Sequence, residues 1–167
     1  VFQAIWDSYP SEPPCRDPKT GKPPPGYENQ CAIKVGYALE KAGVSFASFR
    51  GIRCPCGPKK GGMVASAQGL ANWLKMQPFS GCPKPEKYTG KDAFQKVKGR
   101  TGIIFLANYW QRATDRGDAR TGDHIDLWNG SRMTALSSLI RVHLGISWDG
   151  HWSDYRLATE VLFWPIA

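Results

Sequence analysis

Two residues in this chain have the type and setting that thiol chemistry needs. Cys31 follows Asn29-Gln30 and heads a stretch in which Cys31, Val35, Ala38, Leu39 and Ala42 recur on one face of a helix. Asn29 is a favourable cap for that helix. A cysteine in the first helical turn sits where the helix dipole and the backbone N–H groups favour a thiolate, and the same N–H groups can hold an oxyanion. The plain alternative is a buried structural cysteine; a suitable partner downstream tips the balance. Of His124, His143 and His151, only His124 has a clear frame, following Gly122-Asp123 at the start of an alternating strand. Placed there, an imidazole can accept a thiol proton and return it to a leaving amine. His143 and His151 lie among Leu, Ile, Trp and Asp residues and read as surface or packing residues. No H-x-x-x-H metal pair, glycine-rich phosphate loop or G-x-S-x-G elbow is present, so neither metal nor cofactor is expected.

The elements that must position these residues follow from periodicity. Residues 10–26 carry seven of the thirteen prolines and predict an extended loop. The Cys31 helix stops at Gly43. Residues 44–49 read as a short strand or loop before the Cys54-Pro-Cys56-Gly turn. A second helix is predicted over 64–76, with Ala67, Leu70, Ala71 and Leu74 inward and Pro78 ending it, and a shorter one over 92–97. Beyond residue 100 the period becomes that of strands. Gly102-Ile-Ile-Phe-Leu-Ala reads as a buried strand. His124-Ile-Asp-Leu-Trp, Asn129-Gly130 and Ser131-Arg-Met-Thr read as a hairpin with a two-residue turn. Val161-Leu-Phe-Trp reads as a closing strand. Helices followed by an antiparallel sheet give an α+β fold, N-terminal helices packed on the sheet.

Composition bounds the rest. The 167 residues suit one domain spanning 1–167, and 12% aromatic content excludes a disordered tail. The longest apolar run, Gly102–Trp110, is about half of a bilayer-spanning helix, so no membrane insertion is expected. The sequence begins at Val1 rather than an initiator Met, which suggests a trimmed or processed chain, and its first residues lack the basic segment and apolar core of a signal peptide. A net charge of +8 points to an anionic neighbourhood: nucleic acid, acidic lipid or a bacterial cell wall. Its cations are scattered singly or in pairs such as Lys59-Lys60, the pattern of a solvated surface, and nucleic acid is not expected as a partner. Five cysteines leave at least one thiol unpaired. Cys15, Cys54, Cys56 and Cys82 lie in Pro/Gly-rich stretches, so one or two bridges among them are expected, with Cys31 free and their connectivity open. Zinc is disfavoured, because no C-x-x-C spacing or nearby His is present.

Several blocks, taken together, resemble the type VI secretion amidase effector 4 family. They are Gly26-Tyr-Glu-Asn-Gln-Cys31-Ala-Ile-Lys-Val-Gly-Tyr-Ala-Leu39, Leu70-Ala-Asn-Trp-Leu74, Gly102-Ile-Ile-Phe105 and Gly122-Asp-His-Ile-Asp-Leu-Trp-Asn-Gly130. The resemblance implies a papain-like, NlpC-type fold and an antibacterial toxin delivered by a type VI system into a target bacterium's periplasm. It implies hydrolysis of the D-glutamyl–diaminopimelate amide in the peptide stem of peptidoglycan, and a cognate immunity protein that blocks the cleft. Such delivery would account for the missing signal peptide, and the periplasm for bridged cysteines. Cys31 and His124 match the family's nucleophile and base.

The third catalytic member departs from the family pattern, which has an Asp on the strand after the histidine. With a two-residue turn Trp128 pairs with Ser131, which sets His124 opposite Ala135, a side chain that cannot orient an imidazole. Asp126 is the best substitute, sharing a face with His124 at a Cα separation of roughly 6.6 Å, so contact requires bent rotamers or a bulge. Asn129, Asp123 and Asp149 are weaker candidates. Lys34, Arg132 or Arg112 could hold a stem carboxylate; Trp110 and Trp128 either line the cleft or fill the core. The expected activity is a cysteine amidase. Its rivals are a non-catalytic basic module binding wall or nucleic acid, and a deamidating or transglutaminase-like thiol toxin.

Overall fold

A computed structural model of the chain describes residues 1–110, 112, 114–116, 122–134 and 155–167. Two compact units are present, Val1–Cys82 and Pro83–Ala167. Together their helices and antiparallel strands make a mixed α and β fold.

The N-terminal unit is helical. It holds α1 (Phe2–Asp7), α2 (Cys31–Lys41) and α3 (Ala67–Lys75). The apolar stripe of α2 buries Ala32, Ile33, Val35, Ala38 and Leu39. Gly36 lies within that face because the chain at Gly62 crosses it so closely that a Cβ would meet the Gly62 carbonyl oxygen at 1.9 Å. The helix ends as its sequence predicts. Gly43 takes φ +94°, its N–H bonds the Glu40 carbonyl, and Val44 N–H reaches back to Leu39 O, the paired closure of a Schellman motif. Helix α3 begins three residues later than expected. Val64 is drawn into an antiparallel bridge with Arg53, and Ser66 then caps the helix by accepting from the Gly69 N–H at 3.0 Å. Residues 44–49 form no strand: Phe46 and Phe49 turn back onto Trp73, with Phe46 stacked on it at 4.5 Å between centroids.

The C-terminal unit is built on a four-stranded antiparallel sheet in the order β1 (Glu86–Tyr88), β4 (Glu160–Pro165), β2 (Gly102–Trp110), β3 (Gly122–Trp128). Helix α4 (Gly90–Val97) begins two residues before its predicted start. On one face of the sheet Ile104, Leu106, Val161 and Phe163 bury with Ala93, Val97, Tyr109, Trp128 and Met133. The apolar run of β2 occupies an inner position, flanked by β3 and β4, which explains its continuous burial from Ile103 to Leu106.

The turn after β3 differs from the expected two-residue type. Trp128 bridges Met133 rather than Ser131, leaving four residues in the loop. The Asn129 side chain is the cause: its Oδ1 accepts from Ser131 N–H and Arg132 N–H at 3.1 and 2.9 Å, an Asx turn that outcompetes the tight hairpin. The register that sets His124 against Ala135 is thereby lost, and Ala135 itself lies outside the described residues. No helix among the described residues is long and apolar enough to cross a membrane.

Candidate active site

Cys31 is the first residue of α2 and is half-buried. The cap is Gln30 rather than Asn29. Its side chain makes no capping bond to the helix, and Asn29 Oδ1 reaches only the Cys31 N–H, at 3.4 Å. No acidic residue lies in the first turn, where the positive end of the helix dipole falls. The Gln30 side chain faces inward and is buried. Its Nε2 donates to the carbonyls of Cys15 and Tyr27 at 2.8 and 2.9 Å, and its Oε1 accepts the Cys15 N–H at 3.1 Å. Cys15 is in turn bridged to Cys54, packed with Ile33 and lined by Tyr27, Met63 and Ala65. The residue preceding the thiol is thus tied on both amide atoms to a covalently anchored loop. Sequence reasoning missed Gln30, because its paired bonds to Cys15 span fifteen positions and leave no local pattern.

One bridge forms among the described residues, Cys15–Cys54, and Cys31 is free, as the composition suggested. Cys56 and Cys82 remain thiols. They differ from Cys31 in setting: burial pushes the Cys82 thiol up to about 11, which keeps it protonated and inert, and Cys56 sits on an exposed loop.

His124 lies on β3, paired with Leu106 of β2, in the C-terminal unit. Its Nε2 is 3.3 Å from Asp126 Oδ2, and the Asp126 side chain is only 3% exposed, so the carboxylate meets the ring away from solvent. Asp126 is itself held, its Oδ1 accepting from Leu127 N–H and from the Thr134 hydroxyl. Two residues apart on a strand, His124 and Asp126 share a face, and their side chains close the Cα gap without a bulge in β3. The Tyr109 ring packs edge-on against the imidazole, with centroids 5.9 Å apart and planes at 68°. Thr134 and Tyr109 were not anticipated from the sequence.

The other candidates divide. Trp128 is core, 1% exposed, with its Nε1 bonded to the Val97 carbonyl. Asn129 shapes the turn, and Asp123 accepts from the Asn108 N–H. Lys34 Nζ donates to Ser11 O and lies over the Tyr9 ring. The Arg112 N–H bonds Asp115, and the Arg132 N–H bonds Asn129. His143, His151, Asp149 and the Trp110 side chain lie outside the described residues. Among the described residues no group of His, Cys, Asp and Glu forms a metal site.

A helical unit with a thiol at a helix start, and a sheet unit with a carboxylate-bound histidine, define a mixed α and β protein equipped for thiol and acid–base chemistry. A family model described as type VI secretion system (T6SS), amidase effector protein 4, Tae4, matches residues 27–164, and the chain belongs to that family. No curated protein matches it. Among solved structures, the type VI effector Tae4 from Enterobacter cloacae aligns at TM-score 0.61 and 15% identity, over 100% of this chain and 96% of that one. Tae4 from Salmonella typhimurium, crystallised with the immunity protein Tai4 from Enterobacter cloacae, aligns at TM-score 0.56 and 20% identity, over 84% and 77% of the two chains. The Tae4–Tai4 effector–immunity complex from Enterobacter cloacae gives TM-score 0.56 at 19% identity, over 84% and 76%. At these identities the likeness is one of fold.

Proposed function

We propose that this chain is an antibacterial cysteine amidase acting on peptidoglycan, with Cys31 as nucleophile, His124 as base and Asp126 as the residue that orients His124. The supporting observation is the buried Asp126 carboxylate on His124 Nε2. It selects the tautomer and ring orientation, so that Nδ1 is the nitrogen to meet the thiol. Cys31 loses its proton to His124 and the thiolate attacks the amide carbon. The tetrahedral oxyanion is stabilised by N–H groups of the first α2 turn. Collapse expels the amine, which takes the proton from the imidazolium, and leaves a thioester on Cys31. A water deprotonated by His124 then attacks the thioester, releasing the acid and restoring the thiol. Nucleophile and base suffice, and the reaction needs no cofactor.

Family membership supports the remaining terms: a papain-like, NlpC-type fold, cleavage at the D-glutamyl–diaminopimelate bond, delivery by a type VI system into the periplasm, and inhibition by an immunity protein that covers the cleft. The family match runs through both compact units, which supports one amidase domain across 1–167. Mass spectrometry of purified wall fragments incubated with the protein tests the proposal. The expected products are stem fragments cut after D-glutamate, each pair heavier by one water than its parent. Unchanged fragment masses would sink it, and a one-dalton gain on a host protein would favour a deamidating toxin.

A further inference from the structure

Resting on the amidase reading, we propose that Tyr109 is a positioning residue for His124, brought to the imidazole by a bulge in β2 centred on Asn108. Strands β2 and β3 pair regularly from Gly102↔Trp128 to Leu106↔His124, and pairing resumes only at Trp110↔Gly122. Three residues of β2, 107–109, therefore stand against the single Asp123 of β3. Side chains alternate along a strand, so without the interruption Tyr109 would share a face with Phe105 and point away from His124. The interruption reverses this. Tyr109 is 7% exposed and buries with Ile104 and Leu106, whose partners across the ladder are Asp126 and His124. The bulge in β2 is what brings an aromatic ring to the imidazole's face of the sheet.

The bulge is built. Asn108 adopts φ +51°, a left-handed conformation that Asn tolerates better than most residues. Its N–H, turned out of the ladder, donates to Asp123 Oδ1 at 3.0 Å, one residue before His124. Its Nδ2 donates to Thr159 Oγ1 at 3.2 Å, and Thr159 N–H bonds the Ala107 carbonyl at 3.0 Å. Both neighbouring segments thus hold the irregular backbone, as expected of bulges that re-aim a side chain. With Asp126 fixed on Nε2 and Tyr109 against the ring, rotation of the imidazole about χ2 meets two restraints. The contact assigned this role is that of the Tyr109 ring with the imidazole.

Four variants of the full chain test the proposal: Tyr109→Leu, Tyr109→Phe, Asn108→Val and Asn108→Gly. Kinetics on wall fragments are read beside the NMR shifts of the His124 ring protons, which the Tyr109 ring current displaces. Tyr109→Leu removes the ring but keeps an apolar side chain in the core and should lower kcat by about 10–100-fold with KM nearly unchanged, and Tyr109→Phe should retain wild-type kcat. Asn108→Val, β-branched where φ is positive, should lose the ring-current displacement and kcat together although Tyr109 is intact, and Asn108→Gly should retain both. Wild-type kcat in Tyr109→Leu, or an unaltered His124 spectrum in folded Asn108→Val, would overturn the proposal. The spectrum needs no turnover, so it judges the placement independently. Failure of the amidase reading shows itself elsewhere, as wall fragments whose masses the wild-type chain leaves unchanged.

Discussion

Two ways of holding a reactive group coexist in this chain. Around Cys31 the backbone is largely irregular, and rigidity comes from a covalent bridge, Cys15–Cys54, with the Gln30 amide carrying it to the start of α2. Around His124 rigidity comes from a sheet ladder that places Asp126 and Tyr109 by register and by one bulge. A loop rich in proline has no ladder to fix it, so a disulfide that removes unfolded-state entropy is the economical anchor. A central strand already has its backbone bonds satisfied on both sides and can instead spend a local irregularity on aiming a side chain.

The contrast should appear first in catalysis. Cys31→Ser replaces the nucleophile by a near isostere and should abolish cleavage, with a loss of at least about 10³-fold. Asp126→Asn leaves the nucleophile and base in place but disturbs the tautomer, and should cost about 10²–10⁴-fold. Turnover on wall fragments, with melting temperature as the folding control, separates the two. An Asp126→Asn variant with wild-type turnover would move the orienting role elsewhere, and a Cys31→Ser variant with wild-type turnover would move the nucleophile.

The second effect is on stability and should fall on one side of the comparison. The bridge closes a loop of sequence separation 39, for which the chain-entropy estimate is about 4 kcal/mol. Reductant, or paired Cys15→Ser and Cys54→Ser substitution, should lower the melting temperature and loosen the start of α2. Faster alkylation of the Cys82 thiol, otherwise buried and protonated, would report the opening of that unit. A melting temperature unchanged by reduction would show that Gln30 and the apolar packing suffice without the bridge.

What the sequence revealed of this arrangement follows the same division. Long, strongly periodic segments were legible: the α2 stripe with its Gly43 stop, the apolar run of β2 and the closing strand. The proximity of His124 and Asp126 follows from a period of two. Short elements were not legible, since six residues in α1 and three in β1 give too few repeats to show a period. The turn at Asn129 was misread because its dipeptide satisfies two turn chemistries, and the Asx bonds to Ser131 and Arg132 won. Which cysteine Cys15 would meet, and what Gln30 would bind, depend on chain crossings that no local pattern encodes. Asn108 did leave a signal: an Asn inside an apolar strand run is a candidate for positive φ and hence for a bulge.

The smallest effect belongs to a charged clip in the sheet unit, the counterpart of the disulfide in the helical one. Arg100 donates to both oxygens of Glu86 at 2.7 Å, and the Tyr88 hydroxyl adds a further bond. The Arg100 bonds first, then the Tyr88 bond, hold the Glu86 carboxyl down at about 2, against an ordinary value of about 4.3. Because the folded value lies below the unfolded one, the stabilisation is present in full above about pH 4.3 and is lost as pH falls toward 2. The Glu86 side chain is 36% exposed, so solvent screening limits the pair to about 0.5–1 kcal/mol. Glu86→Gln should therefore lower unfolding stability by about that much at pH 7, with the difference from wild type shrinking between pH 5 and 2. Urea unfolding across that range, with and without reductant, measures it. A difference that stays constant with pH would assign the effect to packing against Phe163, over which the Arg100 guanidinium lies, rather than to charge.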